Sequence, residues 1–245
     1  MAESLTEDML LGGRVRLAQP AEGYRAAIDP VLLAAAIPAR ADDEVLDVGA
    51  GAGAASLCLA ARVPGCRVTG LERAPWLARL ATENAAASGL QDRVAFVAGD
   101  LLDPPAGVVA GRFAQVMANP PYMPAARASP PHPAKEAATV EGAADLARWI
   151  EFCLRMVRPR GAVTLIHRAD RLDELLAALQ GRAGRIVVFP LWPSAGRDAK
   201  RVILQARKGI AGPTRLAAGL ALHDPSGGYT AEAEAVLRHG KGLEL

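Results

Sequence analysis

The feature that most restricts this chain is Gly49-Ala50-Gly51-Ala52-Gly53, set between the apolar run Glu44–Val48 and an alanine-rich stretch that ends near Arg62. The first run has the character of a buried strand and the second the composition of a helix. Strand, glycine turn, helix is the opening of a nucleotide-binding α/β unit. Its glycines let a ligand approach the backbone, and a helix N-terminus lies beside that ligand. The spacing is G-x-G-x-G, not the G-x-G-x-x-G that seats a pyrophosphate. Asp47 stands just ahead of Gly49. A carboxylate there suits a ligand carrying positive charge better than one carrying phosphates.

The next runs repeat the unit. Arg67–Leu71 reads as a second strand and ends in Glu72, 19 residues after Gly53, with Arg73 following. An acid at that strand tip is placed to accept both hydroxyls of a ribose; a solvent-facing acid is the alternative. Pro75 starts a helix that runs to about Ser88 and stops at Gly89. Val94–Ala98 is a third strand, and Asp100, followed by Leu101, sits where a side chain accepts from an adenine amino group. Acids are also common in turns after strands, so Asp100 gains weight only with its neighbours.

A fourth strand, Phe113–Ala118, delivers Asn119-Pro120-Pro121-Tyr122. Two prolines cannot continue a strand, because each lacks the ladder N–H, and both bias the residue ahead of them to an extended backbone. The product is a stiff loop at a strand's C-terminal end, with one carboxamide, one bare carbonyl at Pro120 and one aromatic ring. That set suits a planar amine. Asn119 Oδ1 and the Pro120 carbonyl accept its two protons, and Tyr122 lies against the ring that carries it. Taken alone, the four residues are equally an ordinary proline turn.

Length and composition set the limits. A chain of 245 residues, 51% hydrophobic, buries a full core as one domain. Three cysteines, Cys58, Cys66 and Cys153, show neither CxxC spacing nor an even count, which argues against disulfides and zinc and fits a reducing cytoplasm. Nothing else resembles a metal site. Residues 1–13 carry acids rather than a basic leader, and the apolar run near Val31 is stopped by Pro38, too short to span a bilayer. Net charge is only +2, yet Arg155–Arg215 holds 13 Lys/Arg against 4 Asp/Glu, leaving 15 against 22 elsewhere. A basic third suits a local anionic partner such as RNA.

The remaining segments fill in the order. Asp29-Pro30 reads as N-cap and first turn of a helix to Ile37; Gln19, Tyr24, Arg25 and Asp29 are candidates for closing over a ligand. Pro121–Ala138 is a long irregular loop beside the proposed site. Arg127 and Lys135 in it, with Lys200 and Arg201 further on, are candidates for contacting substrate, while His132 reads as a solvated loop residue. A helix from about Ala143 to Val157 carries Leu146, Trp149, Ile150, Cys153 and Leu154 at helical spacing, a core stripe. Ala162–His167 is a fifth strand, Arg171–Arg182 a helix, and Arg185–Phe189 and Arg201–Ala206 an antiparallel pair. Thr230 caps a last helix, and Asp224, Gly227, Gly228 and Tyr229 form a tight turn before it.

This series resembles the seven-stranded, Rossmann-like α/β fold of class I S-adenosylmethionine-dependent methyltransferases. That fold has a mostly parallel sheet, an antiparallel final strand and helices on both faces. The resemblance implies that Asp47, Gly49, Gly51 and Gly53 hold the methionine part of S-adenosylmethionine, that Glu72 takes the ribose hydroxyls with Arg73 beside it, and that Asp100 and Leu101 meet the adenine. Tyr24 and Asp29 join them from the N-terminal segment. Asn119-Pro120-Pro121-Tyr122 implies methylation of a planar nitrogen. The Gln19–Leu33 segment and Leu222–Thr230 resemble bacterial tRNA(Val) adenine-N6 methyltransferases, which implies tRNA as partner and the anticodon-loop adenine 37 as target. One departure is Ala114, where relatives of that kind carry an Asp. The expected organisation is a single domain over residues 1–245: a helical, cofactor-closing segment at 1–40, a core at 41–208, and a turn and helix at 209–245. The same loop also serves a protein glutamine amide or guanine N2 of ribosomal RNA as acceptor. A nicotinamide-dependent oxidoreductase is opposed by the glycine spacing, and a non-catalytic RNA-binding module by the complete set of site residues.

Overall fold

The computed structural model describes residues 4–22, 26–122 and 144–245. The chain opens with a hairpin, β1 (Leu5–Leu10) and β2 (Val15–Pro20), followed by α1 (Asp29–Ala36). The α/β units follow: β3 (Glu44–Val48), α2 (Ala54–Arg62), β4 (Arg67–Glu72), α3 (Pro75–Ala87), β5 (Val94–Ala98) and β6 (Phe113–Ala118). After α4 (Leu146–Met156) come β7 (Val157–Arg168), α5 (Leu172–Leu179), β8 (Ala183–Ser194) and β9 (Arg201–Lys208). Two short strands, β10 (Arg215–Leu216) and β11 (Leu220–His223), precede α6 (Ala231–Leu237).

One sheet organises these elements, in the order β10-β8-β9-β7-β6-β3-β4-β5 with β11 also on β8. Strands β3, β4, β5, β6 and β7 pair in parallel, and β9 runs antiparallel between β7 and β8. The seven-stranded, mostly parallel sheet expected from the sequence is present, and the described residues add β10 and β11 on its outer edge. Both faces are covered. Residues of α1, α2, α3 and α6 enter one core cluster, those of α4 and α5 the other. Alternation within single strands serves the two faces: on β9, Val202 and Leu204 pack to one side and Ile203 to the other.

Some expected boundaries shift. Residues 5–20 form a hairpin where a helical segment was expected, because Gly12 and Gly13 take left-handed turns between two extended runs. β8 continues through Pro190 to Ser194, since the ladder to β9 extends to Leu191 and β11 supports the rest. Asp29 does not cap α1; Ile28 holds that position and Asp29 is already helical. Its carboxylate is spent elsewhere. At the other end of α1, Arg62 Nη2 donates to the carbonyls of Ala34 (2.9 Å) and Ile37 (2.6 Å), supplying side-chain donors where the helix ends.

All three cysteines are free and buried, and burial pushes the Cys58 and Cys153 thiols up to about 12. Among the described residues no helix is long and apolar enough to cross a membrane.

Candidate active site

The chain order reverses at β3, whose neighbours are β4 on one side and β6 on the other. Such a switch point opens a crevice at the carboxyl ends of the strands. A cavity of about 450 Å³ lies there. Its floor is the glycine turn. Gly49 (φ +74°), Gly51 (φ +56°) and Gly53 (φ +92°) are all left-handed, and the amides of Gly49 and Ala50 both donate to Leu71 O, at 2.8 and 3.0 Å. That pair of bonds ties the turn to the tip of β4.

Glu72 completes the tie from the other direction. Its Oε2 accepts from the Gly51 amide (2.9 Å) and its Oε1 from the Ala74 amide (2.8 Å), so the carboxylate is fixed and each oxygen keeps a lone pair for another donor. Asp47 is 2% exposed and accepts from the Ser56 hydroxyl at 2.7 Å. Burial, aided by the Glu72 charge, raises its pKa to about 6 despite that bond. Asp100 Oδ1 accepts from the Leu102 amide at 2.9 Å, which pins the turn after β5.

The cavity brings together about half of the candidate site residues singled out in the sequence: Asp47, Gly49, Gly51, Glu72, Arg73, Asp100, Leu101, Asn119 and Pro121 are on its wall. Gly53 is not. It is the N-cap of α2, and an added Cβ there would stand 2.7 Å from Phe96 Cζ, so its smallness serves contact with β5. Pro120 is buried behind the wall, and Asp29, Tyr122, Lys200 and Arg201 lie beside the cavity rather than on it. Tyr24, Arg127, His132, Lys135 and the loop that holds the last three fall outside the described residues.

Three residues on or beside the wall escaped the sequence reading. Trp149, placed in the core stripe of α4, turns its ring to the cavity against Gly49; its spacing is that of a packing residue and gave no warning. Asn84, buried on α3, accepts from the Ala18 amide (2.8 Å) and donates to the carbonyls of Ala18 (2.8 Å) and Ala52 (2.9 Å). It thereby holds β2 over the glycine turn, and Gln19 and Pro20 of β2 roof the cavity. Gln19 is itself fixed, donating to Asp8 and accepting from the Ala26 amide, both at 2.7 Å. His167, fully buried at the end of β7, reaches Pro121 O through Nε2 at 3.2 Å. A carbonyl only accepts, so Nε2 carries the proton. Burial pushes the imidazole down to about 4, so it is neutral at pH 7. A polar residue at a strand's carboxyl end beside the proline loop was the available signal.

The basic segment divides between two poles. Arg168, Lys200 and Arg201 stand at the cavity end of the sheet, whereas Arg160, Arg185 and Arg207 gather around a separate cleft at the opposite end. It is not one continuous RNA-facing patch.

Residues 27–132 match the family model described as the methyltransferase small domain. The tRNA1(Val) (adenine(37)-N6)-methyltransferase of Aeromonas hydrophila is 32% identical over 184 residues, spanning 74% of this chain and 76% of that one. The chain belongs to the tRNA1(Val) (adenine(37)-N6)-methyltransferase family. A member from Porphyromonas gingivalis is 36% identical over 132 residues, 53% of this chain and 51% of its own. The release factor glutamine methyltransferase of Deinococcus radiodurans is 49% identical, but over 82 residues, 34% of this chain and 27% of its own. Among solved structures, one described as a predicted O-methyltransferase of Agrobacterium tumefaciens superposes with a TM-score of 0.72 at 25% identity, covering 88% of this chain and 98% of that one. Membership in this family agrees with the resemblance drawn from the strand-end residues and the proline loop.

Proposed function

We propose that this chain, as a single domain over residues 1–245, transfers a methyl group from S-adenosylmethionine to adenine N6 in tRNA, at adenine 37 of a valine tRNA. The observation that carries the reading is that Asn119 shares one cavity wall with the Gly51–Glu72 turn. The donor set fits the cofactor. Among the described residues Gly51 leaves open space where a Cβ would point, Glu72 offers two fixed oxygens for vicinal hydroxyls, and Asp47 faces the turn with a carboxylate rather than a cation. Asp100 and Leu101 take the adenine edge and Gly49 and Gly51 the methionine part; Tyr24 is a further candidate contact to the cofactor. When bound there, S-adenosylmethionine supplies an electrophilic methyl on a sulfonium sulfur.

The protein's own contribution is placement and charge. Asn119 Oδ1 and the Pro120 carbonyl accept the two amine protons, which draws the nitrogen toward a tetrahedral shape with its lone pair directed into the cavity. Positive charge develops on that nitrogen as the new bond forms, and these two acceptors are the groups that meet it. They therefore stabilise the transition state more than the bound substrate. No general base is required beforehand, because the proton leaves after bond formation. His167, neutral and donating to Pro121 O, holds the loop rather than taking that proton. The roof from β2 and the ring of Trp149 limit water. An unpaired loop base reaches such a recess at less cost than a stacked duplex base. Arg127, Lys135 and Lys200 are the candidate phosphate contacts, and the cytoplasm is the compartment this substrate requires.

A second acceptor, a protein glutamine amide, is favoured by one observation: the higher-identity stretch shared with the Deinococcus protein. One experiment separates them. The purified protein is incubated with labelled S-adenosylmethionine and either unmodified valine tRNA or a release factor, followed by nucleoside and peptide mass spectrometry. N6-methyladenosine in the anticodon loop is the expected product. Label in glutamine alone moves the assignment to the second reading, and label in neither rejects both.

A further inference from the structure

Asp29 and Arg201 were candidates for contacting ligands; the geometry gives them a different partner. Tyr122 Oη donates to Asp29 Oδ2 at 2.6 Å, and Arg201 Nε donates to the same oxygen at 3.0 Å. The Arg201 guanidinium also lies over the Tyr122 ring, 4.5 Å from its centroid, and the His167 ring meets that ring edge-on at 5.3 Å. Elements far apart in sequence therefore converge on one phenol: α1 through Asp29, β7 through His167 and β9 through Arg201. The Asp29 side chain is 16% exposed, so its two charge-assisted bonds are shielded from water.

The position of this cluster matters more than its strength. Pro30, the neighbour of Asp29, is on the cavity wall, and so is Asn119, joined to Tyr122 only through two prolines. Proline fixes φ at both intervening positions, so few backbone rotations separate Tyr122 from Asn119. His167 restrains the middle of the link at Pro121 O. A carboxylate that is not needed to cap its own helix, and that takes both donors on one oxygen, sets where the loop stands relative to the cavity.

We propose that Asp29 is a positioning residue: by holding the Tyr122 hydroxyl and the Arg201 guanidinium together, it aims the Asn119–Pro120 acceptors at the cavity, governing turnover but not occupancy by the cofactor. The inference rests on the reading of Asn119 as the acceptor of the amine.

Its test compares Asp29→Ala, Tyr122→Phe and the double variant on unmodified valine tRNA, with S-adenosylhomocysteine affinity measured in parallel. Each single change lowers kcat by about ten- to a hundredfold, the scale of one charge-assisted hydrogen bond, and leaves that affinity within about twofold. The double variant is no slower than the slower single one, because both remove the same bond. Asp29→Asn, whose amide oxygen still accepts from the phenol, recovers part of the loss. Additive losses, unchanged turnover, or affinity falling in step with kcat overturn the proposal. A readout free of turnover is 19F NMR with 3-fluorotyrosine, since the chain has three tyrosines. Asp29→Ala moves the resonance that Tyr122→Phe deletes and leaves that of Tyr229 in place. A Tyr122 resonance indifferent to Asp29 overturns this inference alone, whereas a wild-type protein inactive on tRNA overturns only the substrate reading.

Discussion

The amide of Gly51 donates to Oε2 of Glu72 across 2.9 Å, so the glycine turn after β3 and the acid at the tip of β4 fix each other. With Ala74 donating to Oε1, both carboxylate oxygens are claimed by backbone N–H groups. Glu72→Gln cannot satisfy this pattern, because its NH2 must face one of the two donors. These half-buried amides then lose a charge-assisted acceptor, a loss of about 1–2 kcal/mol. The expected outcome is a tenfold or greater loss of S-adenosylhomocysteine affinity by calorimetry, with a lowered Tm. Unchanged affinity would remove Glu72 from the proposed ribose contact.

Asn119 offers the cleaner separation of binding from chemistry. Asn119→Ala removes one of the two acceptors proposed to meet the developing charge, a loss on the order of 10²–10³ in kcat for groups of this kind. The cavity keeps its glycine turn and acids, so S-adenosylhomocysteine affinity stays near the wild-type value. Single-turnover methylation and calorimetry on the same preparation check both halves. A variant that turns over normally, or one that no longer binds the cofactor product, would show Asn119 to be structural.

Two buried groups shift in opposite directions and nearly cancel. Asp47 rises from 3.8 to about 6 through burial, so the folded chain binds its proton more tightly than the unfolded chain; its contribution is present at low pH and lost as pH rises through 6. His167 falls from 6.5 to about 4, again through burial, so its contribution is present above 6.5 and lost as pH falls toward 4. Each is worth about 2–3 kcal/mol across that window. Urea melts at pH 4.5 and 6.5 resolve them against the wild type, in which all other titrating groups are shared. Asp47→Asn leaves the histidine alone and should gain stability with rising pH relative to wild type. His167→Gln, which still donates to Pro121 O, should lose it. Slopes of the same sign in both variants would contradict the assignment.

How much of this was legible before the structure follows from what each signal encodes. The α/β units were readable because apolar runs buried on both faces, punctuated by glycine and proline, have few other ways to fold; Glu44–Val48 and Phe113–Ala118 fall where they were expected. The placement of Asp47, Glu72 and Asn119 on the cavity wall was readable because each sits at a strand's carboxyl end, where the sheet itself directs side chains to the crevice. The hairpin of residues 5–20 was missed because a half-exposed ribbon has weak periodicity, and its anchor, Asn84, is a mid-helix residue whose partners are backbone groups distant in sequence. Asp29 was misread for a related reason. Asp-Pro at a helix start is so common a capping pair that nothing local reveals Tyr122 and Arg201, 93 and 172 residues away, as its partners.

The two glycines of the turn predict different behaviour, and the contrast isolates Trp149. Both are left-handed, so alanine at either pays a backbone penalty of about 1–2 kcal/mol. At Gly51 an added Cβ meets nothing within 4 Å among the described residues, and the backbone term is the expected loss of stability. At Gly49 it would stand 2.5 Å from Trp149 Cη2, so the indole must move, which adds a packing loss and shifts the tryptophan fluorescence. Trp149→Phe deletes Cη2 along with the outer ring. Combined with Gly49→Ala it should therefore cost less than the sum of the two single changes in urea melts, while Gly51→Ala and Trp149→Phe should combine nearly additively. Additivity for the Gly49 pair would mean that the indole does not press on the turn, and that Gly49 is required for its backbone angle alone.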